Sequence, residues 1–109
     1  NDSNIIYMNK DISLIDISYK LIEADENLAK CRTEYLPLEI AYTKRKYELI
    51  LNSGMATGLL KEAEANNTLV LEDISDKYQE ALLKVKMAHS RRETLMEISR
   101  NLRSLAFEV

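Results

Sequence analysis

The sequence predicts an all-α protein that folds as a long antiparallel helical hairpin of coiled-coil type. The 109 residues include only two glycines and one proline, whereas sandwiches, barrels and doubly wound sheets need many such residues at their turns. Apolar residues also recur at heptad spacing over most of the chain, which is the pattern of coiled-coil helices. The length corresponds to a single domain, residues 1–109.

The first helix is predicted over about residues 11–51, where a heptad row runs almost without interruption. We call this row the inner seam: Leu14, Ile17, Leu21, Ala24, Leu28, Cys31, Tyr35, Leu38, Tyr42 and Leu49, with Arg45 as its first polar member. Pro37 lies within the helix and removes one backbone hydrogen bond. Because the heptad register continues through Pro37, we expect a kink near residues 33–37 rather than a break.

A second apolar row lies on the same helix, and we call it the outer face. Its members are Ile15, Tyr19, Ile22, Leu36, Ile40, Tyr47 and Ile50. A polar row separates it from the inner seam, so the helix carries two stripes and needs two neighbours. We therefore predict self-association into a larger bundle, with these seven residues as the candidate oligomer interface. The alternative is a monomer whose kinked first helix folds back into a three- or four-helix bundle.

The connection between the helices holds both glycines. A loop over about residues 52–58 is predicted to cap the first helix through Gly54 and Gly58. A short segment over about 59–67 follows, with an interruption at residues 66–68 and Thr68 as the N-cap of a second helix over about 69–105. The alternative is a connector that is helical from Gly58 onward.

Charge alternates in four blocks although the net charge is only −3. If the chain folds back at the loop, the basic residues 44–46 come level with Glu72, Asp73 and Asp76, and the basic stretch 91–103 comes level with the acidic stretch 16–26. These blocks then fix the direction in which the two helices pair. The sharper interpretation is a strip that binds nucleic acid phosphates. Its candidate residues are Lys44, Arg45, Lys46, Lys77, Lys84, Lys86, Arg91, Arg92, Arg100 and Arg103.

The sequence offers no motif for catalysis or for binding a cofactor. One cysteine and one histidine cannot form an internal disulfide or a Cys/His zinc site, and no glycine-rich phosphate loop occurs. We therefore expect no catalytic residue, no cofactor, no metal, no small-molecule substrate and no enzymatic activity. No apolar run approaches the roughly 20 residues that cross a bilayer, so we expect no membrane partner and a cytoplasmic location.

The middle of the chain, from Lys44 to Leu83, resembles small helical proteins of phages, the UvsY-like recombination mediators of T-even phages. The residues that carry the resemblance are Lys44-Arg45-Lys46-Tyr47, Ser53-Gly54, Ala65, Asp73, Ser75, Tyr78 and Leu82-Leu83. It implies a phage-encoded, ring-like oligomer in the host cytoplasm that binds single-stranded DNA and helps to load a recombinase past single-strand-binding protein. Residues 44–46 match the basic stretch of that family and are the implied DNA contacts. The alternative function is a structural or regulatory module, such as a phage inhibitor or scaffold, that docks on another protein without nucleic acid.

Overall fold

A computed structural model describes the backbone of residues 2–107 and the side chains of residues 14–105. It contains three helices, α1 (Asp2–Leu51), α2 (Gly58–Val70) and α3 (Asp73–Phe107), and no strand within residues 2–107. The long helix α1 packs against α3, which confirms the all-α helical hairpin.

Helix α1 ends at Leu51 as predicted but begins at Asp2 rather than near residue 11. Residues 2–10 contain neither glycine nor proline, so nothing in their composition interrupts a helix that the heptad pattern already supports farther along. The helix is continuous through Pro37, which confirms the expectation that the proline does not break it. The kink at this proline stays a prediction.

The glycines do not cap α1 in the expected way. Neither Gly54 nor Gly58 has a positive φ, and a Cβ at either position would meet nothing within 4 Å. The last turn of α1 closes instead through backbone bonds from Asn52 to Glu48 (3.1 Å) and from Ser53 to Ile50 (3.2 Å). The predicted position of the turn is therefore right, whereas the predicted cap through the glycines is wrong.

The connector is helical from Gly58, where α2 begins. The structure therefore agrees with the second of the two predicted connectors. The N-cap of α2 is Thr57, whose hydroxyl accepts a hydrogen bond from the backbone N–H of Leu60 (3.2 Å). The predicted interruption at residues 66–68 is wrong, since they lie inside α2 and the Thr68 hydroxyl donates to the Glu64 carbonyl (3.0 Å). Asparagine costs a helix only a few tenths of a kcal/mol relative to average residues, and the fully buried Leu69 anchors this turn.

The chain divides into two compact units, residues 1–30 with 86–109, and residues 31–85. In the first unit, Ile17, Ala24 and Leu95 form a buried cluster with Leu21 and Leu102 packed against it. In the second unit, Leu69 is fully buried and Ala65 nearly so.

Every inner-seam residue of α1 is buried or half-buried within its own unit. The heptad pattern therefore identified the residues of α1 that pack against the rest of the chain.

Candidate interaction surfaces

The outer face of α1 remains uncovered in the single chain. Six of its seven members are large apolar side chains with 55–66% of their surface exposed, and Ile50 is half-buried. The exposed members are Ile15, Tyr19, Ile22, Leu36, Ile40 and Tyr47. The structure thus places the predicted interface residues on solvent, at helical spacing along one helix.

The outer face is distinct from the inner seam because of the heptad geometry. Each residue of a coiled-coil helix turns by about 103°, so the outer face lies about 150° around α1 from the inner seam. The row between them is polar: Ser18, Asp25, Arg32, Glu39 and Lys46. A neighbour that covers the inner seam therefore leaves the outer face open.

Arg45 shows how a polar residue is accommodated at the inner seam. Its guanidinium forms a two-pronged pair with Glu72, with nitrogen–oxygen distances of 2.7, 3.0 and 3.1 Å, and approaches Glu48 at 3.7 Å. These hydrogen bonds lower the pKa of Glu72 and raise the pKa of Arg45. Arg45 is therefore engaged within the hairpin, as the alternating charge blocks predict.

Four further basic candidates also hold acidic partners. Arg92 pairs with Asp25 and, at 3.2 Å, with Glu93, and its hydrogen bond with Asp25 raises the pKa of the guanidinium. The other pairs are Lys46–Glu62 (3.2 Å), Lys77–Asp73 (3.1 Å) and Lys84–Glu80 (3.7 Å). One residue of each basic block pairs as predicted, Arg45 with Glu72 and Arg92 with Asp25. Lys46 pairs with Glu62 instead, and Asp73 pairs with Lys77.

Lys77 and Lys84 lie beside the inner seam of the second unit. Together with Glu34 and Leu38 they line a cleft of about 170 Å³ next to Cys31. This position at the edge of a helix pair is the usual place of charges that guide helix pairing.

The remaining basic candidates are exposed and form no ion pair with the described side chains, residues 14–105. They are Lys44 on α1 and Lys86, Arg91, Arg100 and Arg103 on α3. The ten candidates therefore fall into five that hold an acidic partner and five that are exposed and hold none among the side chains of residues 14–105.

A tyrosine cluster in the second unit did not emerge from the sequence as a group. The rings of Tyr42 and Tyr78 stack at 4.2 Å, and the Tyr35 ring lies 5.7 Å from that of Tyr78. The Tyr35 hydroxyl donates to the Tyr78 hydroxyl at 3.4 Å, and this bond, with burial, raises the pKa of Tyr35 to about 12. The available signal was that Tyr35 and Tyr42 occupy consecutive heptad positions of the inner seam.

Within the described part of the chain, no group of three or more His, Cys, Asp or Glu side chains is placed to hold a metal ion. None of the described helices has both the length and the apolar character needed to cross a bilayer.

Comparisons with known proteins add no relative. No family model, no curated protein and no solved structure matches the chain.

Proposed function

We propose that this protein works by assembly: α1 packs on α3 through its inner seam and holds a further helix on its outer face. The observation that carries the proposal is the exposure of six large apolar side chains along that face. Exposed apolar side chains repeated along one helix face, with polar rows beside them, are typical of a surface that binds another protein. The proposed role involves binding and no catalytic step.

Two substitutions of equal charge test this role. Ile22→Lys places a charge in the outer face, whereas Met87→Lys changes a similarly exposed side chain on α3. We expect the native chain to scatter light with a mass well above the 12.6 kDa of one copy. Ile22→Lys should lower that mass to one copy, and Met87→Lys should leave it unchanged, with equal helicity by circular dichroism. A native chain that stays at 12.6 kDa at all concentrations, or two variants that behave alike, contradicts the proposal.

A second candidate function is binding of single-stranded DNA as an accessory factor in recombination or replication. It is supported by the five exposed basic residues that form no ion pair with the side chains of residues 14–105. Lysine and arginine side chains bind a nucleic acid backbone by displacing its counterions. The resemblance to the UvsY-like mediators adds recombinase loading to this candidate, with a recombinase or single-strand-binding protein as partner.

Paired charge reversals separate this candidate from assembly alone. Arg100→Glu with Arg103→Glu removes two available cations, whereas Lys77→Glu with Lys84→Glu removes two that already hold Asp73 and Glu80. Fluorescence anisotropy with a labelled single-stranded oligonucleotide should show salt-sensitive binding. The first pair should lower the slope of log affinity against log salt by about 1.4, which is two phosphate contacts. Undetectable binding at low salt excludes DNA and favours docking on a protein alone. Equal loss in both pairs contradicts the assignment of binding to the basic residues without an acidic partner.

A further inference from the structure

We propose that the occupant of the outer face is the outer face of a second copy of this chain, laid antiparallel. The inference rests on the proposed assembly function and specifies its partner. It follows from the charges that border the outer face and from one acidic residue within it.

The acidic residue is Glu26, which continues the outer-face spacing between Ile22 and Ala29. In a parallel pair with aligned chains, the two Glu26 carboxylates would face each other inside the interface, which is unfavourable because like charges lose water there. In an antiparallel pair, Glu26 faces a different residue. The outer face therefore disfavours parallel pairing.

One bordering row changes sign along the helix. Asp16 and Glu23 lie in its first half, and Lys30 and Lys44 lie in its second half. In an antiparallel pair of helices, this row faces its own copy running in the opposite direction, so its acidic half meets its basic half. The row is complementary to itself in the antiparallel arrangement.

The other bordering row selects the register, because its charge alternates every seven residues: Asp25, Arg32, Glu39 and Lys46. In a first register, Ala29 faces Ile40 of the second copy, Glu26 faces Thr43, and Ile22 faces Tyr47. Asp25 and Lys46 already pair with Arg92 and Glu62 within each copy. The bordering charges that meet across the dimer are therefore Glu23 with Lys44, and Arg32 with Glu39. Each of these contacts occurs twice in the dimer.

A shift by one heptad in either direction removes this complementarity. A shift in one direction places Arg32 and Lys30 opposite the same residues of the second copy. A shift in the other direction places Glu39 opposite Glu39 of the second copy. A shift by two heptads, in which Ile15 faces Ile40, restores opposite charges through Glu23 with Lys30. The alternating charges thus permit antiparallel registers two heptads apart and exclude the one between them.

The charges available in the single chain suit this arrangement. Glu23, Arg32, Glu39 and Lys44 form no ion pair with the described side chains of residues 14–105. Ile15 and Ile50 belong to the same helix, α1, which provides enough residues for a stable two-stranded contact. In the first register, a second copy therefore covers the outer face and supplies counterions to all four of these charges.

A charge reversal with its rescue tests this pairing, measured as the dimer Kd by sedimentation equilibrium. Glu23 faces a lysine in both permitted registers, so Glu23→Lys should weaken the dimer roughly tenfold, since each of two ion pairs becomes a repulsion. Glu97→Lys on α3 is the matched control and should leave the Kd unchanged. Adding Lys44→Glu to Glu23→Lys should restore the Kd in the first register, and adding Lys30→Glu should restore it in the second.

Disulfide formation between introduced cysteines, in a Cys31→Ser background, shows whether the two chains run parallel or antiparallel. Mixed Ala29→Cys and Ile40→Cys copies should form a disulfide with each other in the first register, and mixed Ile15→Cys and Ile40→Cys copies in the second. An Ala29→Cys disulfide with itself indicates parallel chains and overturns the proposal.

The failures of the two proposals are distinguishable. An oligomer that shows neither rescue nor mixed disulfides overturns the antiparallel occupant and leaves the assembly role intact. A chain that is monomeric at every concentration overturns both.

Discussion

Truncation of Ile40 to alanine separates the role of the outer face from that of the fold. Ile40 lies in the middle of the outer face and is 61% exposed in the single chain. The substitution deletes three carbon atoms and introduces the residue with the highest helix propensity. Helix α1 therefore persists while the surface offered to a second copy becomes smaller.

The expected loss follows from the exposed fraction of this side chain. Three buried carbon atoms contribute about 2.4 kcal/mol, and the 61% that only a partner covers accounts for about 1.5 kcal/mol per copy. A symmetric dimer loses this twice, about 3 kcal/mol, which weakens the Kd roughly a hundredfold. The single chain loses the remaining 0.9 or so kcal/mol of burial and regains a few tenths in helix propensity, a net loss of about 0.5 kcal/mol.

Sedimentation equilibrium of the native chain, Ile40→Ala and Met87→Ala measures this difference. Met87 is 63% exposed and lies on α3, so it matches Ile40 in exposure but not in location. We expect a weaker dimer for Ile40→Ala alone, with unchanged helicity in all three proteins. If Met87→Ala weakens the dimer as much, or if Ile40→Ala leaves the Kd unchanged, the outer face is not the interface.

Three predictions concern the hairpin itself. Leu69 is fully buried, so Leu69→Ala should lower the free energy of unfolding by about 2–5 kcal/mol in urea titrations, and a loss below about 1 kcal/mol would show that the site is not tightly packed. Because Arg45 lowers the pKa of Glu72 in the folded chain below its ordinary value of 4.5, this pair stabilises the fold above that pH and less as the pH falls through the folded pKa. Glu72→Gln should therefore destabilise the chain at neutral pH and have a smaller effect in acid, and an equal effect at both would contradict the pair's role. Removing the acceptor with Tyr78→Phe should return the pKa of Tyr35 from about 12 toward 10.0 in ultraviolet titrations, and a pKa that stays near 12 would assign the shift to burial instead.

The heptad pattern predicted most of the packing because coiled-coil geometry is a local property of the chain. Leu14 to Leu49 keep one register, and a residue on that register faces the partner helix wherever the partner comes from. The charge blocks added the direction of folding, and the pairs Arg45–Glu72 and Arg92–Asp25 confirm it. The heptad pattern depends on the spacing of apolar residues and the charge blocks on the sign of side-chain charges. Both can be read directly from a sequence.

The connector and the tyrosine cluster depend on what a sequence does not display. Asn66 and Asn67 resemble a helix interruption, yet the burial of Leu69 outweighs their low propensity. Tyr78 lies far along the chain from Tyr35 and Tyr42, so their stacking requires the relative rotation of two helices. The same holds for the basic candidates, since only the packed helices show that Lys46 meets Glu62 while Lys44 meets no acidic side chain among residues 14–105.

The most direct test of the outer face as an interface is fluorine NMR of chains labelled with fluorotyrosine, recorded over a dilution series. Tyr19 and Tyr47 lie on the outer face, whereas Tyr35, Tyr42 and Tyr78 lie inside the hairpin and serve as internal controls. We predict that the Tyr19 and Tyr47 signals move to solvent-exposed positions on dilution, with the Kd found by sedimentation, while the signals of Tyr35, Tyr42 and Tyr78 stay constant. Tyr19 and Tyr47 signals that remain solvent-exposed at concentrations where the chain is assembled would contradict the account.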